Sequence, residues 1–399
     1  MTSQAAESDG GRALDAQDFS LVLGGPLFQL LRRGRLSDDA LGLVRRRIAF
    51  FVMITWAPLF VLSALQGSLV GGGRSMSFLN DIGSHLRFLV VVPLLLVAEL
   101  VVHRRMRPMV DQFQVRGLVP PSQTARFADA LDDARGLRNS VLAEVLLALV
   151  VYGVDILVIQ RRYALQTSAW FASADGRLSL AGLWFVFASL PICQFLLGRW
   201  YFRLFIWMRF LWRVTRLDLD LDATHPDKAG GLGFLRLSLN AFIPLAAAHG
   251  VLLAGLMANR IFYGGARLPE FKVEVVLVVI VLLLVFAGPL TLCAPLLARV
   301  KRTGLLEYGA LAQSYVRRFE AKWLRGAPPD EPLIGSADIQ SLADMGNSFA
   351  VVEQMRIAPV SWTALIQFVA AILAPILPLT LTVMPVEKLI DTLVGMVAS

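Results

Sequence analysis

An all-α, polytopic membrane bundle of about seven spans, with small cytoplasmic helical segments, is the fold class this sequence predicts. Three observations predict it. Of 399 residues, 56% are hydrophobic and only 17% are charged, where a soluble domain carries about 25% charged residues. Apolar runs recur at a length of about 20 residues, enough for a helix to cross a bilayer core. Basic residues are unevenly distributed: 29 of the 38 Lys and Arg fall in connections on one side of the spans. The positive-inside rule makes that side cytoplasmic, so the N-terminus is expected inside and the C-terminus outside.

Residues 1–47 form a cytoplasmic N-terminal region. Its polar start has no apolar h-region, so no cleavable signal is expected and the first span acts as its own insertion signal. Pro26–Leu31 reads as a short interfacial helix followed by Arg32, Arg33 and Arg35. Ser37-Asp38-Asp39 reads as a helix cap, and Arg45–Arg47 mark the membrane edge. Six spans occupy 48–298. They are Ile48–Val70, stopped by Gly71-Gly72-Gly73; Leu86–Val102; Val141–Ile159, continuous with the helix that starts after Pro120-Pro121-Ser122; Leu180–Leu197; Leu237–Ala258; and Val275–Ala298. The cytoplasmic connections are 103–140 and 199–236. Residues 299–358 predict a cytoplasmic helical hairpin around the turn Ala327–Pro332. In its second helix Ser336 is the expected N-cap, and Ile339, Leu342, Met345, Phe349, Val352 and Met355 recur at helical spacing. Packing on a neighbouring helix explains that stripe. Residues 359–399 hold the seventh span, Pro359–Val383, and an outer amphipathic tail, Glu387–Val397. The outer loops are too short for a domain. Cys193 and Cys293 both fall inside spans and imply neither a disulfide nor a cysteine metal site.

The net charge of +8 is an inner-surface feature on this topology. It assigns the bilayer and its anionic headgroups as partners and leaves nucleic acid unneeded. The cytoplasmic helices offer a surface for a protein partner or a homo-oligomer. Scarce lysine and abundant Ala, Gly and Leu point to a bacterial chain, hence to the inner membrane. The sequence specifies no cofactor.

Polar groups inside spans are costly in hydrocarbon, so each is a candidate site. Glu99, His103, Glu144 and Asn240 are expected near the inner face, His249 near mid-membrane and Asp155 in the outer third. Glu99 and His103 share a helix face, and an antiparallel neighbour would bring Glu144 to their depth. Two carboxylates and a histidine can hold a metal or pass a proton; the plainer expectation is that Glu99 and His103 snorkel to the interface. Prolines interrupt six spans, at Pro58, Pro93, Pro191, Pro244, Pro289 with Pro295, and Pro375 with Pro378. They predict a kinked bundle whose freed carbonyls need partners from elsewhere. Arg199, Arg203, Arg209, Arg213 and Arg216 fall on one helical arc, interleaved with Trp200, Trp207 and Trp212. An interfacial helix snorkelling to phosphates is the expected form.

The densest cluster of polar groups is Leu217–Leu235, LDLDLDATHPDKAGGLGFL. Asp222, His225 and Asp227 could offer oxygen and nitrogen ligands to a divalent cation. Lys228, Gly230, Gly231 and Gly233 could present N–H groups and a charge to an anion at the start of a span. Alternatively, the glycines and Pro226 simply turn the chain back into the membrane. No Walker lysine follows the glycines. HPDK also matches the tripeptide of J-domain co-chaperones, but the helices that surround it there are missing here.

HPDKAGGLGFL before one span and GSADIQSLADMGNSF before the last resemble a group of uncharacterised bacterial multi-pass inner-membrane proteins. The resemblance is strongest over Ala223–Leu235 and Ile334–Arg356, and it implies a membrane location without an activity. A transporter or channel-like protein for an ion or small solute is the leading expectation. The alternatives are a membrane enzyme acting on a phosphate-bearing lipid through Asp227, His225 and Glu99, and a non-catalytic sensor or assembly factor using Ser336–Arg356.

Overall fold

The computed structural model describes residues 19–34, 43–70, 76–163, 170–172, 177–326, 332 and 336–382, with 155–163 as backbone alone. The Ser37–Asp39 cap, the Gly71–Gly73 stop, most of the Ala327–Pro332 turn, the Asp155 side chain and the Glu387–Val397 tail lie outside the described residues. Within them the regular elements are helices. In chain order they are α1 (Pro26–Arg33), α2 (Val44–Leu65), α3 (Ile82–Val115), α4 (Thr124–Arg138), α5 (Val141–Tyr163), α6 (Leu180–Val214), α7 (Leu232–Gly264), α8 (Leu268–Trp323), α9 (Ala337–Glu353) and α10 (Trp362–Thr382). Six of these (α2, α3, α6, α7, α8 and α10) are long and apolar enough to cross a membrane. The segment 121–138 with α5 makes a seventh if that pair, bent by 45°, is one span. The protein is an all-helical, multi-pass membrane protein.

The bend corrects the expectation of one continuous helix into the third span. Asn139 ends α4 and turns its side chain to the Gly25 N–H at 3.1 Å, while Ser140 Oγ caps the next helix by accepting from Ala143 N at 3.2 Å. The last 30 residues of α8, Ala294–Trp323, form one helix, about 45 Å long at 1.5 Å per residue, so the helix runs on past residue 298, where hydropathy falls.

Helices α2–α3 and α5–α6 are matched hairpins. In α3 a five-residue α turn at Ile82–Leu86, capped by Asp81, leads into a π turn at Arg87–Val91 and then a 24-residue helix with Pro93 near its start. In α6 a five-residue α turn at Leu180–Trp184, capped by Ser179, leads into a π turn at Phe185–Ser189 and a 25-residue helix with Pro191 near its start. Proline supplies no N–H and crowds the carbonyl four residues back, and the wider π turn absorbs that defect.

Three proline-freed carbonyls find partners on neighbouring helices. Pro58 releases Ile54 O, which accepts from Trp184 Nε1 at 3.0 Å. Pro191 releases Phe187 O, taken by the Tyr152 hydroxyl at 3.3 Å. Pro244 releases Asn240 O, taken by Arg105 Nη1 at 2.9 Å. The kinks thus become cross-helix ties. Ser189 Oγ adds one more between the hairpins, donating to Thr55 O at 2.7 Å.

At the end of the bundle where α3 and α6 begin, the Asp81 carboxylate joins three segments. It accepts from Ser84 Oγ (2.6 Å), Asn259 Nδ2 of α7 (2.8 Å) and Trp170 Nε1 (3.0 Å). At the opposite end α9 lies along α8, as its apolar stripe predicts. Val352 and Met355 are buried, Ser336 caps the helix, and Asp338 accepts from Lys322 Nζ at 2.7 Å and Trp323 Nε1 at 3.1 Å.

Candidate functional site

Glu99 is the centre of a buried ion-pair cluster that lies between the two matched hairpins. It sits on α3 and is 3% exposed. Arg47, from α2 of the same hairpin, donates to its carboxylate. From α6, Arg203 Nη2 reaches it at 2.9 Å and Arg199 Nη1 lies 3.7 Å away. Arg199 Nε also contacts Glu144 Oε1 of α5 at 3.2 Å, and Glu144 Oε2 accepts from Leu27 N at 2.9 Å. Three guanidinium groups therefore surround two carboxylates. Removing these ions from water costs several kcal/mol each, and only mutual pairing offsets it.

This arrangement corrects two expectations. Glu99 and His103 do not snorkel, because their partners are inside: His103 is buried and its Nδ1 lies 2.8 Å from Ser20 Oγ. That hydroxyl already accepts from Val22 N and Leu23 N, so its own proton goes to the imidazole. The arginine arc is not a snorkelling ladder either. Arg199 and Arg203 are each 5% exposed, and Trp200 and Trp207 are buried with them. Glu99 and Glu144 draw these arginines inward. Arg209 and Arg213 pair instead with Asp133 of α4, at 2.6 and 3.5 Å, and Arg216 stacks on Trp212 at 3.9 Å.

The Leu217–Leu235 loop is folded around the carboxylate of Asp227. Its Oδ1 accepts from Ala229 N at 2.8 Å and Gly231 N at 3.2 Å, and its Oδ2 accepts from Gly233 N at 2.8 Å. Left-handed backbone at Lys228 (φ 55°), Gly230 (φ 63°) and Gly231 (φ 94°) curls the N–H groups inward. Burial opposes the charge on Asp227, but the three N–H donors and nearby His225 outweigh it and hold the carboxyl below its ordinary value. The anion expected over Lys228, Gly230, Gly231 and Gly233 is thus one the chain itself supplies. Lys228 turns to the Gln354 side chain, and Lys228 O accepts from Arg356 N at 2.7 Å, which fastens the loop to the end of α9.

The expected metal set of Asp222, His225 and Asp227 is not assembled. Both Asp227 oxygens face backbone donors, His225 Nδ1 lies against Asp227 at 3.0 Å, and among the described residues no three His, Cys, Asp or Glu converge on one point. For the same reason Asp227, His225 and Glu99 do not form one catalytic centre. Asp222 and His225 do border a half-open basin of about 320 Å³, together with Arg116, Leu118, Asp220 and Gly230.

The other intramembrane candidates are held elsewhere. Asn240 Nδ2 is 3.4 Å from Gln367 Oε1 on α10. His249 is clamped between Leu245 O, 2.7 Å from Nδ1, and the Tyr201 hydroxyl, 2.6 Å from Nε2. The carbonyl can only accept, so Nδ1 carries the proton and Nε2 accepts from the phenol. Asp155 has no described side chain. Sequence reading overlooked Arg47, Arg199 and Arg203 as interior groups. The available signal was that Arg199 and Arg203 are four apart, on one helix face, in a chain with acidic groups inside facing spans.

No protein-family model, no curated protein and no solved structure matches this chain.

Proposed function

We propose that this protein moves an ion or small solute across a bacterial inner membrane, and that the interface of its two matched hairpins is the working site. The observation that carries this reading is the ion-pair cluster of Arg47, Glu99, Glu144, Arg199 and Arg203, contributed by both hairpins and buried between them. Charge inside a membrane bundle is costly and characteristic of ion and proton pathways, and transporters built from repeated units place their sites at the repeat interface. The π turns in α3 and α6 give each hairpin a break that lets it bend. The asymmetry of basic residues supports an orientation with the Leu217–Leu235 loop and α9 in the cytoplasm. The basin beside that loop then opens inward. Likeness to the bacterial group carrying HPDKAGGLGFL fits this location.

The test is flux. Purified protein reconstituted in proteoliposomes is screened for ion and solute uptake, driven by ion gradients and by voltage. A wild-type signal that drops at least tenfold in Glu144→Gln, in protein that elutes and melts like wild type, is the expected result. Absence of flux across the screen, or a Glu144→Gln protein as active as wild type, sinks the proposal.

A further inference from the structure

We infer that residues 19–25, with the first turn of α1, form a displaceable strap that closes one entrance to the ion-pair cluster, an autoinhibitory contact made by the chain itself. The inference rests on the hairpin interface being a working site, and access to that site, not flux, is what tests it.

The strap is buried although it has no regular structure. Phe19, Ser20, Leu21 and Val22 are each no more than 3% exposed, yet no helix begins before Pro26. A buried irregular segment needs its backbone groups met from outside, and side chains of the surrounding helices meet them. Arg138 Nη1 donates to Ser20 O at 2.6 Å, Asn139 Oδ1 accepts from Gly25 N at 3.1 Å, and Glu144 Oε2 accepts from Leu27 N at 2.9 Å. Ser20 Oγ reaches His103 of α3, and the Phe19 ring stacks on Phe210 of α6 at 5.3 Å. Left-handed backbone at Gly24 (φ 129°) and Gly25 (φ 88°) permits this close approach, since a Cβ on Gly25 would lie 3.0 Å from Glu144 Oε1 and 3.1 Å from Arg138 O. Among the described residues the strap makes no backbone–backbone bond to α3, α4, α5 or α6. It can therefore leave without unwinding any of them.

What the strap covers is the cluster. Gly24 forms one wall of a cleft whose other walls include Arg138, Glu144, Arg199, Phe202 and Arg203. About 10 Å³ of free space remains there, roughly room for one water, so no solute enters while the strap is seated. Glu144 joins the two features, because its Oε1 faces Arg199 Nε inside the cluster while its Oε2 holds Leu27 N of the strap. A rearrangement of that carboxylate during work at the site therefore loosens the strap directly. Segments held by a few side-chain bonds are the ones from which gating elements are drawn.

The experiment is thiol labelling of the full chain carrying Ile206→Cys, with a small methanethiosulfonate reagent. Ile206 borders the cleft and is 1% exposed, so slow labelling is expected. Adding Gly25→Val, whose side chain has no room against Glu144 and Arg138 O, is expected to speed labelling at position 206 at least tenfold, while the buried native Cys193 and Cys293 stay unreactive. Labelling of Ile206→Cys alone at the rate of an exposed thiol, or an unchanged rate in the folded double variant, overturns the strap. An equal rise at Cys193 and Cys293 also overturns it, because the substitution would then have loosened the whole bundle. If the double variant fails to fold, hydrogen exchange on the unmodified chain decides. Amides of residues 20–25 are expected to exchange at least tenfold faster than those of α3 and α6 around them, and equal rates overturn the strap. Faster labelling in Gly25→Val protein that shows no flux supports the strap and counts against transport alone.

Discussion

Asp227 spends its charge on three backbone N–H groups, and this makes its contribution measurable. Asp227→Ala leaves those donors without their acceptor and is expected to destabilise by roughly 2–4 kcal/mol, since each unmet buried group costs about 1–3 kcal/mol. Asp227→Asn keeps one carbonyl oxygen and is expected to fall between Ala and wild type in thermal melts. The same bonds set a pH dependence. Because the folded carboxyl lies below its ordinary 3.8, its stabilisation is fully present above about pH 4 and is lost as pH falls through the folded value. The stability gap between wild type and Asp227→Asn should therefore be flat through neutral pH and shrink only in acid. A gap that peaks near pH 7 contradicts this account. Glu99 presents the opposite case, a carboxylate answering guanidinium groups. Glu99→Gln strands Arg47 and Arg203, and a loss of about 3–5 kcal/mol is expected, read as a large drop in Tm or in folded yield.

Among the helices, close packing is set by glycines that the hydropathy pattern does not distinguish from alanine. A Cβ at Gly250 of α7 would lie 2.1 Å from Ile372 O of α10, so Gly250→Ala must push the two helices apart. A cost of roughly 1–3 kcal/mol follows. Gly136, inside α4, meets nothing within 4 Å. Gly136→Ala should raise stability by about 0.5–1 kcal/mol through helix preference alone. Paired melts of these variants separate packing from propensity, and similar shifts in both would refute the distinction. The proline ties belong to this scale too. Tyr152→Phe removes the donor to Phe187 O and should cost about 0.5–1.5 kcal/mol.

For the whole molecule, orientation is the property to measure. Cys193 and Cys293 are buried, so labelling of an introduced thiol has little background. Gly326→Cys, past the end of α8, should react from the cytoplasmic side and Gly265→Cys, between α7 and α8, from the outer side. Reversed labelling would invert the topology and move the basin of Asp220, Asp222 and His225 outside.

What the sequence determined by itself was the class, an all-helical bundle with six or seven helices able to cross a membrane, because hydrophobic length is a local property read along the chain. It also identified Ser336 as a cap and the α9 stripe as a packing face, since helical period and cap chemistry need only neighbouring residues. Only the tertiary structure decided what the polar groups do. Arg199 read as a surface residue because a lone arginine at the end of an apolar run finds water most cheaply, and that preference reverses only when Glu99 and Glu144, about 100 and 55 residues away in the chain, are brought against it. The Asp227 loop read as a possible ligand site because free N–H groups and a free carboxylate look alike in sequence whether they await a partner or hold one another. The matched hairpins were hidden for the same reason. Their likeness lies in backbone turns and helix breaks, which different side chains can produce equally well.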